Sequence, residues 1–231
     1  MISRRVPGFL PSTNGLHFAN DFARGPLFRF GLGRASIPIG NAANGLCGGM
    51  VFAVRDLFEH RLAPPPVRTA PQPGNQLFRY LLGRLFASFD LPTGPLRYWL
   101  WQVLPSGDRF AVRGLAWRTI RGHWPKIRAD LDAGRPSPLG VVRARSINPL
   151  DLGQNHQVLA YGYDLDEAAA VLTIHVYDPN HPDDDGCGLS LSVADPTKAA
   201  PVGYVAGEPP VRGFFRTRYA PKDPSAIAGT A

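Results

Sequence analysis

The stretch NHQVLAYGYDLDEAAAVLTIHVYDPN, residues 155–180, contains two strand-like runs separated by a turn-like linker. Residues 157–163 and 171–177 are rich in valine, leucine, isoleucine and tyrosine, the composition that favours β-strands. The linker, residues 164–170, is short enough to connect neighbouring strands. The sequence therefore predicts an antiparallel hairpin.

The register of this hairpin decides which polar side chains meet at its open end. A hairpin centred near Glu167 places His156 directly opposite Asp178. Directly opposite residues have Cβ atoms about 4.5–5.5 Å apart, so the carboxylate could accept the ring N–H of His156 and fix its tautomer. This arrangement predicts His156 as a catalytic base that Asp178 orients. A structural strand-end histidine is the alternative.

A second residue could orient the histidine instead. Asn180 lies two positions beyond Asp178 and shares its side of the chain if the strand continues, although Pro179 interrupts such an extension. The segment from Asp178 to Asn180 is also a common turn sequence, and this gives it a plain structural explanation.

The nucleophile that such a histidine would serve is Cys47, in the stretch NGLCGGM, residues 44–50. It opens an apolar helical pattern that extends to about Leu62. A thiol at a helix N-terminus is acidified by the helix dipole. Gly48 and Gly49 follow it in the first turn, where glycine costs up to about 1 kcal/mol relative to alanine. They predict close approach of a substrate or a facing element; a plain loop-to-helix transition is the alternative.

An oxyanion formed at this cysteine needs two hydrogen-bond donors. The backbone N–H of Cys47 is one, and a side-chain amide is the other. Asn41 and Asn44 lie within local reach, and Asn41, six residues before the cysteine, is the preferred candidate.

The remaining patterns predict helices before strands. Further helices are expected at residues 76–89 and 96–104, and from about Pro125 to Gly134 within a stripe of large apolar residues. That stripe is expected in the core and consists of Trp117, Ile120, Trp124, Ile127 and Leu131. Further strands are expected at residues 139–144, 202–206 and 211–218.

This order predicts an α+β fold in a single domain, residues 1–219. A helical lobe, residues 46–135, would pack on an antiparallel sheet lobe, residues 136–219. Residues 1–45 look like an irregular lead-in, and residues 220–231 like a flexible tail. Four phenylalanines are expected to fix the lead-in to the core: Phe18, Phe22, Phe28 and Phe30.

Composition narrows the classes of partner. The net charge is +7, but the 25 basic residues are scattered and no block of five or six occurs, so no specific nucleic-acid partner is expected. No apolar run is long enough for a membrane span, and no signal peptide is recognisable. The protein is therefore expected in the cytoplasm, or exported without such a signal. Two cysteines do not form a disulfide framework, and Cys187 is expected to be a bystander.

A metal site receives little support from the residues. The six histidines have no tight ligand spacing, and Cys187 stands alone, so no metal site is expected.

Together these motifs resemble the papain-like cysteine peptidase superfamily. The resemblance rests on the order Cys47, His156, Asp178, on the cysteine that heads a helix, and on HQVLAYGY, residues 156–163, which is similar to the superfamily's His-x-Val-x-x-x-Gly-Tyr stretch. Residues 177–180, YDPN, are similar to the corresponding strand end in bacterial bacteriocin-processing peptidase domains.

The resemblance implies a papain-like fold, a covalent acyl-enzyme, no cofactor and a peptide or other acyl substrate. Cys47 would be the nucleophile, His156 the general base and acid, and Asp178 the orienting residue. Asn41 stands where the superfamily often has glutamine, and Gly48 where papain has an aromatic residue.

Other functions use the same residues. Acyltransferases of the transglutaminase or arylamine acetyltransferase type employ the same trio, and the sequence does not separate water from an amine as the acceptor. A papain-like module that binds a partner without catalysis, and a basic nucleic-acid binder, are further alternatives. A pro-segment role for residues 1–45 and the oligomeric state stay open.

Overall fold

The computed structural model describes residues 1–22, 28–32, 35–39, 46–90, 93–204 and 207–229. For residues 28–32, 35–39, 93–95, 149, 150 and 152, the backbone alone is described. The packing expected for Phe28 and Phe30 lies outside the described side chains. Phe18 and Phe22 are buried, as predicted.

Most of the helices precede the main sheet along the chain. Their bounds are α1 Pro11–Asn14, α2 Cys47–Glu59, α3 Gln76–Ser88, α4 Thr93–Val103, α5 Leu115–Trp117 and α6 Trp124–Asp132, with a π-helix at Arg118–His123 and 3₁₀ turns at Pro149–Gln154 and Ser225–Ile227. Helix α2 ends three residues before the predicted Leu62. Arg61 adopts a left-handed φ of 56°, which a continuing helix excludes.

The strands form one antiparallel sheet of seven and one of two. Their bounds are β1 Ile2–Arg5, β2 Phe28–Leu32, β3 Ala35–Ile39, β4 Ser137–Val142, β5 His156–Asp166, β6 Val171–Tyr177, β7 Gly188–Ser192, β8 Gly203–Tyr204 and β9 Gly213–Arg216. The main sheet has the order β8-β7-β6-β5-β4-β9, with β1 also paired to β5; β2 and β3 pair with each other. The protein therefore has an α+β fold, as predicted.

The predicted lead-in contains regular structure that its sequence does not suggest. Strand β1 pairs with β5 through Ile2–Leu165 to Arg5–Gly162, beyond the point where β4 leaves β5. The expectation of an irregular segment is wrong here. A short strand with two arginines carries no hydrophobic alternation, and it forms because β5 offers unpaired backbone groups.

The hairpin of β5 and β6 is present, but its predicted register is wrong. Strand β5 continues to Asp166, which pairs with Val171, so the turn is centred beyond Glu167. A bulge between Ala160 and Gly162 then shifts the pairing by one residue. His156 and Asp178 are consequently not directly opposite each other in the ladder.

The predicted apolar stripe lies in the core with one exception. Ile120, Trp124, Ile127 and Leu131 are buried, whereas Trp117 is half-buried. The regular helix starts at Trp124, next to the predicted Pro125.

The π-helix before α6 lies along the outer side of β9. The hydroxyl of Thr119 donates to Phe214 O at 3.1 Å and accepts from Phe214 N at 3.3 Å. One turn later, Nδ1 of His123 accepts from the N–H of Arg216 at 3.2 Å. Burial and the neighbouring cations lower the pKa of His123 to about 4, so its ring is neutral and can accept.

Residues 220–229, which belong to the predicted flexible tail of residues 220–231, pack against the helices. The buried carboxylate of Asp56 in α2 accepts from Tyr80 and Tyr219 at 2.8 and 2.6 Å, and from the N–H of Lys222 at 3.0 Å. Arg84 in α3 forms a 2.7 Å ion pair with the same carboxylate and donates to Ala220 O at 2.8 Å. Residues 220–229 are thus tied to α2 and α3.

No helix in the described parts of the chain combines the length and the apolar character needed to cross a lipid bilayer.

Candidate active site

Cys47 is the first residue of α2, as predicted, and its side chain is half-buried. The helix behind it is almost wholly inside the protein, with every residue from Gly48 to Leu57 buried. The helix is therefore fixed by packing along most of its length, and Cys47 precedes its buried part while the exposed Glu59 ends the helix. The first N–H groups of a helix have no intrahelical partners.

Gly48 and Gly49 are required by two facing elements. A Cβ on Gly48 would lie 2.2 Å from the hydroxyl of Ser88 and 2.6 Å from the amide of Gln157. A Cβ on Gly49 would lie 2.2 Å from the carbonyl oxygen of Leu81 in α3. The glycines thus allow α3 and β5 to approach the start of α2, which is the close approach by a facing element that the sequence predicted.

His156, the first residue of β5, contacts both of the other predicted groups. Its Nε2 lies 2.6 Å from Oδ1 of Asp178, and the thiol of Cys47 forms a hydrogen bond with the same side chain. The imidazole and the carboxylate are both buried. The predicted contact between His156 and Asp178 is therefore present, although the strand pairing that suggested it is not.

The pKa shifts of Cys47 and His156 favour opposite charges on the sulfur and the imidazole ring. Burial by itself raises the pKa of Cys47, but the hydrogen bond and positive charge of His156 outweigh it and lower the pKa below its usual value. The backbone N–H groups of Gln157 and Gly48 act in the same direction. Burial lowers the pKa of His156, but Asp178 and Cys47 outweigh it and raise that pKa to about 10. The two shifts therefore favour a thiolate beside an imidazolium over a neutral thiol beside a neutral ring.

Asp178 is held in its ionised form from several sides. Burial raises its pKa, but hydrogen bonds from His156, Tyr204 and the N–H of Asn180 lower it to about 2. The hydroxyl of Tyr204 in β8 donates to Oδ2, and Asn180 N donates to Oδ1 at 2.8 Å. Both carboxylate oxygens thus have donors.

The side chain of Asn180 does not serve His156. Its Oδ1 accepts from Nδ2 of Asn20 at 3.2 Å, and Oδ1 of Asn20 accepts from the N–H of Leu46 at 2.6 Å. Leu46 is the residue immediately before the helix that Cys47 opens. Asn20 therefore links the turn that follows β6 to the start of α2, and so helps to fix the position of Asp178 relative to Cys47.

Three residues of this site carried no recognisable signal in the sequence. They are Asn20, Tyr204 and Tyr98, whose hydroxyl donates to His156 O at 3.3 Å. A Cβ on Gly140 in β4 would lie 2.4 Å from the Tyr98 hydroxyl. The glycine therefore leaves room for the tyrosine of α4 to make this contact. Each of the three comes from a segment distant in sequence.

The two predicted oxyanion donors, Asn41 and Asn44, lie outside the described residues. Cys187 is buried, and neither it nor Cys47 forms a disulfide. Burial and the nearby Asp184 raise the pKa of Cys187 far above its usual value, so this thiol lacks the activation found at Cys47.

Among the described residues, one group has the composition and spacing to hold a metal ion: Asp178, His181 and Glu208. Their ligand atoms already have other partners. Glu208 accepts a hydrogen bond from Arg143, and its Oε1 lies 3.0 Å from Nε2 of His181. Asp178 accepts hydrogen bonds from His156 and Tyr204. The geometry favours a hydrogen-bonded network over a metal centre.

Comparisons with known protein families, with curated proteins and with solved structures found no match.

Proposed function

We propose that this protein is a cysteine hydrolase of papain-like fold that cleaves a peptide bond through a covalent acyl-enzyme. The observation that carries the proposal is the chain of contacts from Cys47 through His156 to Asp178 at the N-terminus of a buried helix. A half-buried thiol with a lowered pKa is accessible and nucleophilic, whereas an ordinary buried thiol is inert.

The reaction follows from the protonation states. The thiolate of Cys47 attacks the acyl carbon, and a C–S bond forms as the carbonyl electrons move to oxygen. The backbone N–H of Cys47 is placed to donate to that oxygen. As the tetrahedral adduct collapses, the imidazolium of His156 gives its proton to the leaving nitrogen, and the C–N bond breaks.

Deacylation reverses the roles. Neutral His156 takes a proton from water, the hydroxide attacks the thioester, and Cys47 leaves as a thiolate beside the restored imidazolium. Asp178 accepts from Nε2 throughout, which leaves Nδ1 for the sulfur and the substrate. Neither step requires a cofactor.

The test is alkylation of Cys47 by iodoacetamide as a function of pH. We expect rapid labelling that persists at pH 6, where an ordinary thiol is almost fully protonated, and a rate about tenfold or more lower in His156→Ala. Cys47→Ser controls for labelling at Cys187. Equal rates in the wild type and His156→Ala would contradict the ion pair and favour a non-catalytic module.

A second experiment separates hydrolysis from acyl transfer. The protein is incubated with a peptidyl ester in the presence of increasing concentrations of an amine, and the products are identified by mass spectrometry. We expect mainly the free acid. A predominantly amide product at low amine concentration would identify an acyltransferase that uses the same three groups.

A further inference from the structure

The surface around helix α4 concentrates the exposed apolar side chains of the protein. Ten large hydrophobic residues are exposed among those described, and six of them belong to residues 96–112 or lie beside them at Ile147. We call these six the α4 patch: Leu96, Leu100, Val103, Phe110, Val112 and Ile147. A single exposed leucine needs no explanation, but clustering of this kind marks an interaction site.

The parts of the α4 patch are joined by contacts. Leu96 and Leu100 line a cavity of about 330 Å³ together with Arg118. The guanidinium of Arg118 also donates to Arg113 O at 3.2 Å, at the base of the turn that carries Phe110. On the other side, Nε1 of Trp99 donates to Ile147 O at 2.9 Å, which places Ile147 beside α4.

Phe110 is held away from the core by its backbone. It lies in the turn closed by mutual hydrogen bonds between Arg109 and Val112, both of 3.0 Å. Its φ is 52°, in the left-handed region, and its side chain is 96% exposed. An aromatic residue at positive φ is unfavourable, and here it gains no burial in compensation. The protein alone gives this arrangement no benefit, which points to a partner.

Positive charge surrounds these apolar groups. Residues 95–118 contain four arginines and a single acid, Asp108, which is already paired with Arg113 at 2.5 Å. Arg97 and Arg109 lie over the rings of Phe215 and Phe110, and Arg118 bonds to a carbonyl. Among the described residues, these three arginines have no carboxylate partner.

We propose that the α4 patch docks this protein on an anionic lipid membrane surface. Such a surface matches both the exposed apolar side chains and the surrounding arginines. The apolar side chains would enter the boundary between headgroups and acyl chains, and the arginines would lie at the level of the phosphates. A second copy of the chain is a poor occupant, because a two-fold contact would bring the arginines of both copies together. Five of the six patch residues are aliphatic, so stacked nucleic-acid bases are also poorly matched.

The experiment is flotation of the full chain with lipid vesicles at physiological salt. Vesicles of phosphatidylcholine containing phosphatidylserine are compared with vesicles of phosphatidylcholine alone. We expect binding to the anionic vesicles that exceeds binding to the neutral ones at least tenfold and that weakens as salt screens the charges. Equal binding to both compositions, or none to either, would overturn the proposal.

Two variants assign the binding to the α4 patch. Phe110→Ser is expected to weaken binding about tenfold through lost apolar burial, and Arg109→Gln about fivefold. Phe86→Ser, at an exposed phenylalanine of α3 outside the patch, is the matched control and should bind as the wild type does. An equal loss in Phe86→Ser and Phe110→Ser would overturn the assignment.

Two further outcomes would identify another occupant and end the membrane proposal. One is a dimer in sedimentation that Phe110→Ser dissociates. The other is a gel-shifted nucleic acid complex that Phe110→Ser abolishes while vesicles stay unbound. The proposal does not depend on the chemistry at Cys47, since neither variant touches that residue.

Discussion

The two carboxylate oxygens of Asp178 have different tasks. Oδ1 faces His156 and the N–H of Asn180, whereas Oδ2 accepts from the hydroxyl of Tyr204. Tyr204 is buried, so water cannot replace its hydroxyl without a change in the packing. In the proposed reaction the tyrosine would therefore act through Asp178, as a positioning residue that favours the ionised carboxylate and holds it in place.

Replacing Tyr204 by phenylalanine should weaken this support. Loss of a donor to a buried carboxylate costs about 1–3 kcal/mol and raises the pKa of Asp178. We expect the low-pH limit of Cys47 alkylation in Tyr204→Phe to move to higher pH, together with a lower urea midpoint.

Tyr163→Phe is the matched control. It removes a tyrosine donor to Asp132, at 2.8 Å, on a part of β5 remote from His156. It should lower the urea midpoint without moving the pH profile of alkylation. Identical profiles in Tyr204→Phe and the wild type would limit Tyr204 to a purely structural role.

The ion pair also links stability to pH, with opposite signs at its two members. The raised pKa of His156, about 10 against about 6.5 unfolded, gives stability that is complete below 6.5 and is lost as the pH rises towards 10. The lowered pKa of Cys47 gives stability that is present above about 8.5 and is lost as the pH falls through its folded value. Between the folded pKa of Cys47 and about 8.5 the two effects have opposite signs and offset each other.

The contribution of the pair to stability should therefore vary least with pH just below about 8.5, where the two effects overlap, and fall as the pH rises from 8.5 towards 10. In Cys47→Ser the thiolate is gone, so the histidine alone should make stability decline from pH 6.5 upward. Urea unfolding of both proteins across this range measures the difference. Parallel curves for the two proteins would contradict the charge separation.

At this scale, the sequence was sufficient for residues whose chemistry is local. Cys47 is marked by the helix it opens, and His156 and Asp178 by the two strand ends. Tyr204 and Asn20 were missed because nothing in their neighbouring residues distinguishes them. Their importance arises only when β8 and the N-terminal segment are brought against the turn after β6.

Helices α2 and α3 meet where Gly49 lacks a side chain. The carbonyl oxygen of Leu81 occupies the position that a Cβ would need. Because Cys47 is the first residue of α2, this contact helps to position the proposed nucleophile. The position of one glycine thus affects both packing and chemistry.

Gly49→Ala should separate the two helices and destabilise the fold by about 1–3 kcal/mol, the usual cost of overpacking. Gly83→Ala is the control within α3, where a Cβ meets nothing nearer than Lys222 Nζ at 3.8 Å. It should stabilise by up to about 1 kcal/mol through helix propensity. Thermal unfolding measures both, and Cys47 alkylation should slow in Gly49→Ala alone. Equal stability of Gly49→Ala and Gly83→Ala would contradict this prediction, because it would show that α2 and α3 can move apart at no cost in stability.

The elements themselves were unevenly predictable. Helices α2 and α3 and strand β6 follow clear periodicities and lie close to their predicted bounds. Strand β7 was not predicted, although Leu189 and Leu191 alternate with serines and are buried. Strand β1 has no such pattern, because only pairing with β5 makes it a strand.

The N-terminal segment belongs to the body of the molecule. Phe9, Leu16 and Phe18 are buried in the main core, and Asn20 holds the N–H of Leu46. Residues 1–22 therefore supply packing and a hydrogen bond at the start of α2. Their removal by proteolysis is expected to expose the core.

Deletion of residues 1–22 should abolish cooperative unfolding and the rapid labelling of Cys47. Circular dichroism during heating and iodoacetamide labelling measure the two effects. Asn20→Ala is the milder variant, expected to cost about 1 kcal/mol as the loss of a helix cap does. A deletion protein that melts cooperatively and labels faster than the full chain would identify the segment as inhibitory.

The α+β class follows from the order of periodicities, with helices before antiparallel strands, and the structure has that order. The exact hairpin register did not follow, because the turn is centred beyond the predicted Glu167 and a bulge lies between Ala160 and Gly162. His156 and Asp178 are nevertheless in contact, because side chains at a strand end can reach each other even when their residues are not directly paired.

The π-helix beside β9 has a consequence for how copies of this protein behave at high concentration. An open strand at the margin of a sheet is a template for lateral polymerisation. Here Thr119 and His123 occupy the backbone groups of Phe214 and Arg216 that an incoming strand would seek. Growth into fibres from this edge would first require the π-helix to dissociate from β9. Thr119 and His123 therefore protect the edge of the sheet from pairing with another molecule.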